Sequence, residues 1–329
     1  FFAQNHLHAW KDIADVQLVA VCDKDTAKAA AAAERFGVPA HYADAAAMFA
    51  RETLDFVDVA TTMPSHRPLV ELAARHRVPV IVQKPFAPTW DDCVAMVAAC
   101  AAAEVPLMVH ENFRFQGPLI AVRAAVAAGT IGVPHFGRIS FRTNYDVFAN
   151  QPYLALEERL IILDLGIHLL DVARVLFGEV ETIACRTQRV RPNVRAEDMA
   201  TMLLHHKSGA TSIVDCSYSS RLASDPFPQT LVHLEGPQGS IALLEGYRLR
   251  VTGPAGTTER DVATPLLSWT SQPWHVAQES VLNTQRHWVA SLRAGRVPET
   301  SGADNLRTYA LVTAAYRAAA ERRAVMPEA

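Results

Sequence analysis

The feature that most restricts what this chain can become is an alternation of two hydrophobic rhythms over residues 1–115. Short runs rich in β-branched residues at 16–23, 56–61, 79–83 and 106–110 read as strands buried on both faces. Alanine-rich stretches with helical spacing lie between them, at 26–36, 65–76 and 89–104. The last opens on Thr89, which can cap the first turn, with Asp92 three residues later to answer it. Strand, helix and strand at this spacing enforce right-handed parallel crossovers, so the N-terminal part is expected to be a doubly wound parallel sheet.

Beyond residue 115 the rhythm changes. A helix at 119–128 precedes two-residue alternation at 137–146, 182–190, 199–206, 211–218 and 231–235. Such runs build a large, mainly antiparallel mixed sheet with one covered face. A strongly apolar helix at 161–177 interrupts them, and helices near 278–294 and 306–322 close the chain. The expected architecture is α/β in two closely joined domains, 1–115 and 116–329, with no internal repeat and no linker.

Composition narrows the partners. The 329 residues are 50 % hydrophobic and 20 % charged, the balance of a globular protein with a large core. A net charge of −3 with no basic block offers nothing to a phosphate backbone, which excludes nucleic acid. Cys22, Cys93, Cys100, Cys185 and Cys216 form no C-x-x-C pair and lie in apolar stretches. They read as buried free thiols in a reducing compartment. No apolar run reaches membrane-spanning length and no signal segment precedes the first helix, so a cytoplasmic protein without a membrane partner is expected.

A sheet of the first kind binds ligands at the carboxyl ends of its strands, and a dinucleotide is the usual guest. Asp23 closes the first complete strand. A carboxylate there accepts hydrogen bonds from both adenosine ribose hydroxyls and repels a 2′-phosphate, which favours NAD over NADP. Lys24 softens that preference, and a plain loop-entry Asp is the alternative. The fingerprint Gly-x-Gly-x-x-Gly/Ala should follow a strand and open the first helix. Here Phe1-Phe2-Ala3 stand directly on that helix, with Ala3 in the third small position. The expectation is that the first strand and glycine loop lie upstream of this sequence. The sheet should then be divided beside 16–23, where that strand belongs in the order 3-2-1-4-5-6.

Three local patterns line up with this frame: Thr61-Thr62-x-x-x-His66 after one strand, Gln83-Lys84-Pro85 ending the next, and Asp164-x-Gly166-x-His168-x-x-Asp171 on a later helix. In this order and spacing the chain resembles, over essentially its whole length, the Gfo/Idh/MocA oxidoreductases, the glucose–fructose oxidoreductase and inositol dehydrogenase group. The resemblance implies a Rossmann domain over 1–115, a substrate-binding and oligomerising domain over 116–329, a nicotinamide cofactor, and oxidation of a sugar or polyol hydroxyl. It matches Lys84 to the lysine of the family's Glu-Lys-Pro motif, and Asp164 and His168 to its active-site Asp and His. Gln83 departs from the pattern: an amide still hydrogen-bonds, but does not stabilise a nearby ammonium by charge. Residues 109–115 (VHENFRF), Gln151-Pro152-Tyr153 and Glu157-Glu158-Arg159 are similar to a subgroup of that family, the D-apiose dehydrogenases, which makes an aldose such as D-apiose the specific substrate expected.

Helical spacing puts Asp164, His168 and Asp171 on one face of an otherwise apolar helix, where polar groups need partners. Gly166 weakens that helix by ~1 kcal/mol relative to Ala, which suggests close approach of another group. Oxidising an alcohol sends a hydride to the cofactor and a proton to a base near neutrality. His168 is the expected base, with Lys84 meeting it over the nicotinamide and stabilising charge on the reacting oxygen; the reverse, Lys84 as base, stays open. Asp164 holds substrate or tunes Lys84. Expected cofactor contacts are Phe1, Phe2, Ala3, Asp23, Lys24, Thr61, Thr62, His66, Gln83, Lys84 and Asn112, the last on the nicotinamide amide. Substrate contacts are Lys84, Arg114, Tyr153, Arg159, Asp164 and His168.

Each has a plainer reading: His66 as a first-turn surface residue behind an N-cap at Ser65, Arg114 as partner of a carboxylate, Tyr153 and Arg159 as wall residues. His6 and His8 point to different faces of a helix and are poor metal ligands. Two further functions compete with a dehydrogenase. One is a non-catalytic nucleotide or sugar sensor; the other is a metal-assisted hydrolase or lyase on the Asp164/His168/Asp171 face. That face lacks a cysteine or second histidine, so no metal is expected. The open antiparallel sheet is a ready face for a homodimer or homotetramer.

Overall fold

The computed structural model describes residues 2–328 and divides into two compact units. The first runs to Glu111 and includes Val281–Leu306; the second comprises Asn112–Ser280 and the residues from Arg307 onward. Both expected boundaries shift. Glu111 rather than residue 115 ends the first stretch, and a late segment returns to the first unit.

The first unit carries α1 (Ala3–Lys11), β1 (Ala20–Cys22), α2 (Thr26–Phe36), β2 (Ala40–Tyr42), α3 (Ala45–Arg51), β3 (Val57–Val59), α4 (His66–Arg75), β4 (Val80–Gln83), α5 (Trp90–Ala102) and β5 (Leu107–His110). Its strands pair in parallel, as the alternating rhythm requires, but form two ladders: β1 with β2, and β3–β4–β5. Among the described residues no strand joins β1 to β3, so the sheet is divided beside β1 as expected.

Local chemistry sets the helices. The Asp25 carboxylate accepts from the amides of Ala27 and Lys28 to start α2, and Gly37 stops it at φ 66°, a left-handed conformation glycine adopts without a Cβ penalty. Ala29, Ala33 and Phe36 form the buried stripe of α2, with Leu7, Leu18 and Val21 packed around its end. Asp44 caps α3 in the same way. Thr89 caps α5 by accepting from the Asp92 amide at 3.2 Å, and its hydroxyl donates to the Asp92 carboxylate at 2.6 Å. The expected box is therefore closed between side chains. The edge of β5 is covered by residues far along the chain: the Thr300 carbonyl accepts from Val109 N–H at 2.8 Å, and the Thr300 hydroxyl donates to Val109 O at 2.7 Å. Pairing across 191 residues leaves no local signal, which is why a contiguous boundary failed.

The second unit holds α6 (Gly117–Ala127), β6 (Phe136–Arg142), α7 (Ile167–Phe177), β7 (Val180–Gln188), β8 (Met199–His206), β9 (Thr211–Ser217), β10 (Leu231–Gly236), β11 (Gly239–Leu244), β12 (Arg248–Gly253) and β13 (Gly256–Asp261). The helices α8 (His275–Arg293) and α9 (Gly302–Glu321) follow. Eight strands form one sheet in the order β13-β12-β11-β10-β6-β9-β8-β7, antiparallel throughout except for the β6–β9 pair. Alternation is plainest on β8, where Ala200, Met202, Leu204 and His206 face inward. The helix α7 lies on β6 and β9.

Where α7 ends on the sheet, Gly137 of β6 is required by space. A Cβ there would stand 2.4 Å from Phe177 Cζ and 2.9 Å from the His233 carbonyl of β10. Gly137→Ala is expected to lower unfolding free energy by about 1–3 kcal/mol through overpacking, read from the denaturant midpoint. A midpoint equal to wild type would show that the α7–sheet contact yields freely.

Candidate active site

In the first unit, the residues expected to meet a cofactor cluster at the carboxyl ends of parallel strands. Asp23 and Lys24 follow β1 and are exposed, and Asp23 Oδ1 accepts from the Asp25 amide at 2.9 Å. Thr61 and Thr62 follow β3 and are also exposed; Ser65 Oγ lies 2.7 Å from both Thr61 Oγ1 and the Thr62 carbonyl. Ser65 makes no side-chain cap to α4, so the expected N-cap is absent. Ala3 begins α1, and Phe2 sets its ring edge-on to His6 at 5.8 Å; Phe1 lies outside the described residues. An exposed carboxylate at one strand end, threonine hydroxyls at another and the half-buried Lys84 after β4 suit a nicotinamide dinucleotide: an acceptor for ribose hydroxyls, and donors for amide and phosphate oxygens.

Two expected cofactor contacts serve the protein instead. His66 is fully buried, with Nδ1 3.0 Å from the Phe86 carbonyl and Nε2 3.1 Å from the Thr61 carbonyl. Burial drives its pKa down against those two carbonyls, so the ring is neutral and donates to one of them, the other lying against its lone pair. A surface position does not describe it. Gln83 is buried as well. Its Oε1 accepts from the Lys84 amide at 2.7 Å, and its Nε2 donates to His6 Nε2 at 3.1 Å. His6 in turn pairs through Nδ1 with Asp58 at 2.7 Å, which also takes the Trp10 indole N–H at 2.7 Å. Burial works against ionisation of Asp58, but His6, His110 and Trp10 outweigh it and hold the carboxyl below its ordinary value.

In the second unit the expected α-helix from residue 161 begins as a π-turn, Ile162–Gly166, before α7 proper. The wider turn changes the facing of Asp164 relative to simple α spacing, and such turns are common at functional sites. Gly166 is not required by space: a Cβ there would meet Ile161 O at 3.4 Å and Ile162 Cβ at 3.6 Å, ordinary contacts within the same turn, so its nearest neighbours are not the approaching group that was expected. Asp164 is half-buried and accepts from the Tyr218 hydroxyl at 2.7 Å. Burial and this carboxylate push the Tyr218 phenol well up, so it stays a donor. Tyr153 donates its hydroxyl to Gln151 Oε1 at 3.0 Å, and burial with the charges of Asp164 and Glu157 pushes its pKa up to about 12. His168 is buried and stacks flat on Phe113, ring centroids 3.9 Å apart at 5°.

Three expected ligand contacts turn inward or aside. Arg114 grips Asp171 through Nε at 2.7 Å and an Nη at 2.5 Å, with both side chains buried. Asn112 donates to Ser280 Oγ at 2.6 Å and is buried. Arg159 lies over the Tyr316 ring at 5.1 Å. Because Asp171 is committed to Arg114, the Asp164/His168/Asp171 face is not a metal triad, and no group of three metal-binding side chains occurs among the described residues. The residues that spacing could not show are Tyr218 and Phe113, which hold Asp164 and His168 across strand and turn. Asp171→Asn is expected to cost about 3–5 kcal/mol in unfolding free energy by leaving Arg114 charged and buried. A change in sugar KM at unaltered stability would instead assign Arg114 to substrate.

Comparison with known proteins identifies the family. Residues 1–111 match an oxidoreductase family with an NAD-binding Rossmann fold, and residues 119–257 match the GFO/IDH/MocA C-terminal domain. The chain is 55 % identical over 325 residues to a D-apiose dehydrogenase of Rhizobium rhizogenes, covering 99 % of this chain and 94 % of that protein. It is equally identical over 325 residues to a D-apiose dehydrogenase of Paraburkholderia graminis, covering 99 % of this chain and 87 % of that one. A crystal structure of an oxidoreductase from Agrobacterium radiobacter, in complex with NAD+, L-tartaric acid and magnesium, superposes with a TM-score of 0.97 at 54 % identity, over 99 % of this chain and 95 % of the other. With both family domains matched and near-full-length relatives at this identity, the chain belongs to the GFO/IDH/MocA family of NAD-binding oxidoreductases.

Proposed function

We propose that this protein is an NAD-dependent dehydrogenase that oxidises a hydroxyl of an aldose, with D-apiose the first substrate to test. The observation that carries the reading is the 55 % identity, over 99 % of the chain, to proteins named D-apiose dehydrogenase. The site residues support it. The exposed Asp23 suits the free ribose hydroxyls of NAD and disfavours the 2′-phosphate of NADP. When bound, NAD+ supplies the hydride acceptor. His168 takes the hydroxyl proton, its ring plane fixed by the Phe113 stack. Lys84, in the first unit, is the hydrogen-bond donor that stabilises negative charge developing on the substrate. Asp164, oriented by the Tyr218 hydroxyl, accepts from a neighbouring sugar hydroxyl.

Two properties accompany this reading. The five cysteines are free thiols, four of them buried, which suits a reducing cytoplasm, and among the described residues no helix is long and apolar enough to cross a membrane. The eight-stranded sheet exposes Leu203 on β8, and self-association over that face into a homodimer or homotetramer is the assembly we infer. Light scattering of the purified protein tests it, and a monomer at all concentrations rejects it.

The catalytic reading is checked by the absorbance of reduced nicotinamide as D-apiose, other aldoses and polyols are offered with NAD+ or NADP+. D-apiose with NAD+ is expected to give the largest kcat/KM. His168→Ala should lower kcat on the order of 10²- to 10⁴-fold while NAD+ affinity stays as in wild type. Loss of NAD+ binding in that variant would remove His168 from the role of base, and retained turnover would pass the role to Lys84.

A further inference from the structure

We propose that Asp58, His6 and Gln83 form a buried hydrogen-bond relay that positions Lys84, making His6 and Asp58 positioning residues for the reaction. The proposal rests on the reading above, in which Lys84 acts on the substrate oxygen. Its members stand on different elements: His6 on α1, Asp58 on β3, and Gln83 as the last residue of β4. All belong to the first unit.

The relay has a direction that its chemistry enforces. The Lys84 amide can only donate, so the Gln83 atom 2.7 Å away must be the carbonyl oxygen. The amide nitrogen then faces His6 Nε2 at 3.1 Å, and because it too can only donate, His6 must offer a lone pair at Nε2. The imidazole proton therefore sits on Nδ1 and is donated to the Asp58 carboxylate at 2.7 Å. Trp10 holds the same carboxylate oxygen from a second direction, and Gln285 Nε2 donates to the His6 carbonyl at 3.3 Å. A carboxylate on one strand thus decides which way an amide points at the end of another. Reversing the amide would set two donors against each other at Lys84 in a site where each lost bond is costly.

The segment is anchored on its far side as well, since the Phe86 carbonyl is held by His66. The Gln83 link reaches the peptide of Lys84 itself. Without His6 the Gln83 nitrogen has no acceptor, and the amide is released to turn towards other partners. The Lys84 main chain then loses its fixed acceptor, and misplacement of a reacting group by about 1 Å costs on the order of 100-fold in rate.

The test uses the full-length enzyme with His6→Phe, Gln83→Leu, the double variant, Gln83→Glu and Lys84→Ala. For each, kcat and KM are measured with D-apiose at saturating NAD+, together with NAD+ dissociation constant and Tm. His6→Phe and Gln83→Leu should each lower kcat on the order of 10- to 100-fold with NAD+ affinity near wild type. The double variant should be no worse than either single one, because one relay is broken once.

Gln83→Glu carries the test even where the other variants unfold. One carboxylate oxygen still accepts from Lys84 N–H, and the other needs a proton on His6 Nε2 to meet it. The groups facing that ring are Asp58 from β3, residue 83 from β4, His110 from β5 at 4.3 Å between centroids, and Phe2 and Trp10 beside it. The variant should retain kcat at neutral pH and lose it, at lower pH than wild type does, as rising pH strips the second proton. Wild-type kcat in His6→Phe and Gln83→Leu, or an alkaline fall in Gln83→Glu at the wild-type position, overturns the relay while leaving a Lys84→Ala defect intact. Full activity in Lys84→Ala overturns the reading beneath it.

Discussion

The pair of Arg114 and Asp171 fixes the part of the second unit on which its chemistry depends. Asp171 is wholly buried on α7, and its charge is balanced by two bonds from Arg114, which stands on the short turn of residues 113–115. The same carboxylate accepts from the Thr308 hydroxyl, and Arg174, 3.8 Å from it, bonds both Thr308 and Glu179. Turn, α7 and α9 are thereby pinned at one point. Because Phe113 precedes Arg114, pinning the turn also sets the ring on which His168 stacks. A buried ion pair contributes little net stability against a hydrophobic alternative, but it allows few arrangements of its neighbours.

The first unit uses imidazole for a related purpose. A neutral histidine offers one donor and one acceptor at opposite ends of a rigid ring, so it can splint two backbone or side-chain groups that no helix or ladder satisfies. His6 does this between the Asp58 carboxylate and the Gln83 amide, whereas His66 lies between the Thr61 and Phe86 carbonyls and, when neutral, donates to one of them. Both act on the ends of β3 and β4, where a nucleotide-binding sheet presents its working residues. In the relay we propose, precision at Lys84 comes from side chains buried within the first unit.

The alternating rhythm of the first hundred residues was enough to give parallel pairing, and the later alternation enough to give the long antiparallel strands. What escaped were β2, α3 and the meander β11–β13. The first two are only three and seven residues long, and β13 is exposed throughout, so it shows no apolar alternation to detect. Strand ends and motif spacing picked out Asp23, Lys84, Asp164 and His168 as candidates. The same reading offered Arg114, Asn112 and His66 as ligand contacts and could not show their protein partners, because their residue types suit a ligand as well as they suit a buried partner. Which applies depends on Asp171, Ser280 and two carbonyls far away in the chain or across a loop.

Sequence alone determined the class of fold, the order of its elements and the polar residues available at the strand ends, since all three follow from periodicities and local spacings within a few turns of chain. Only tertiary structure decided that residues 281–306 return to the first unit, that a π-turn opens the helix at Asp164, and that Gln83 belongs to His6 rather than to a ligand. Each of these is a choice between partners distant in sequence, made by which buried donor finds an acceptor. That accounting closes only when the chain is folded around it.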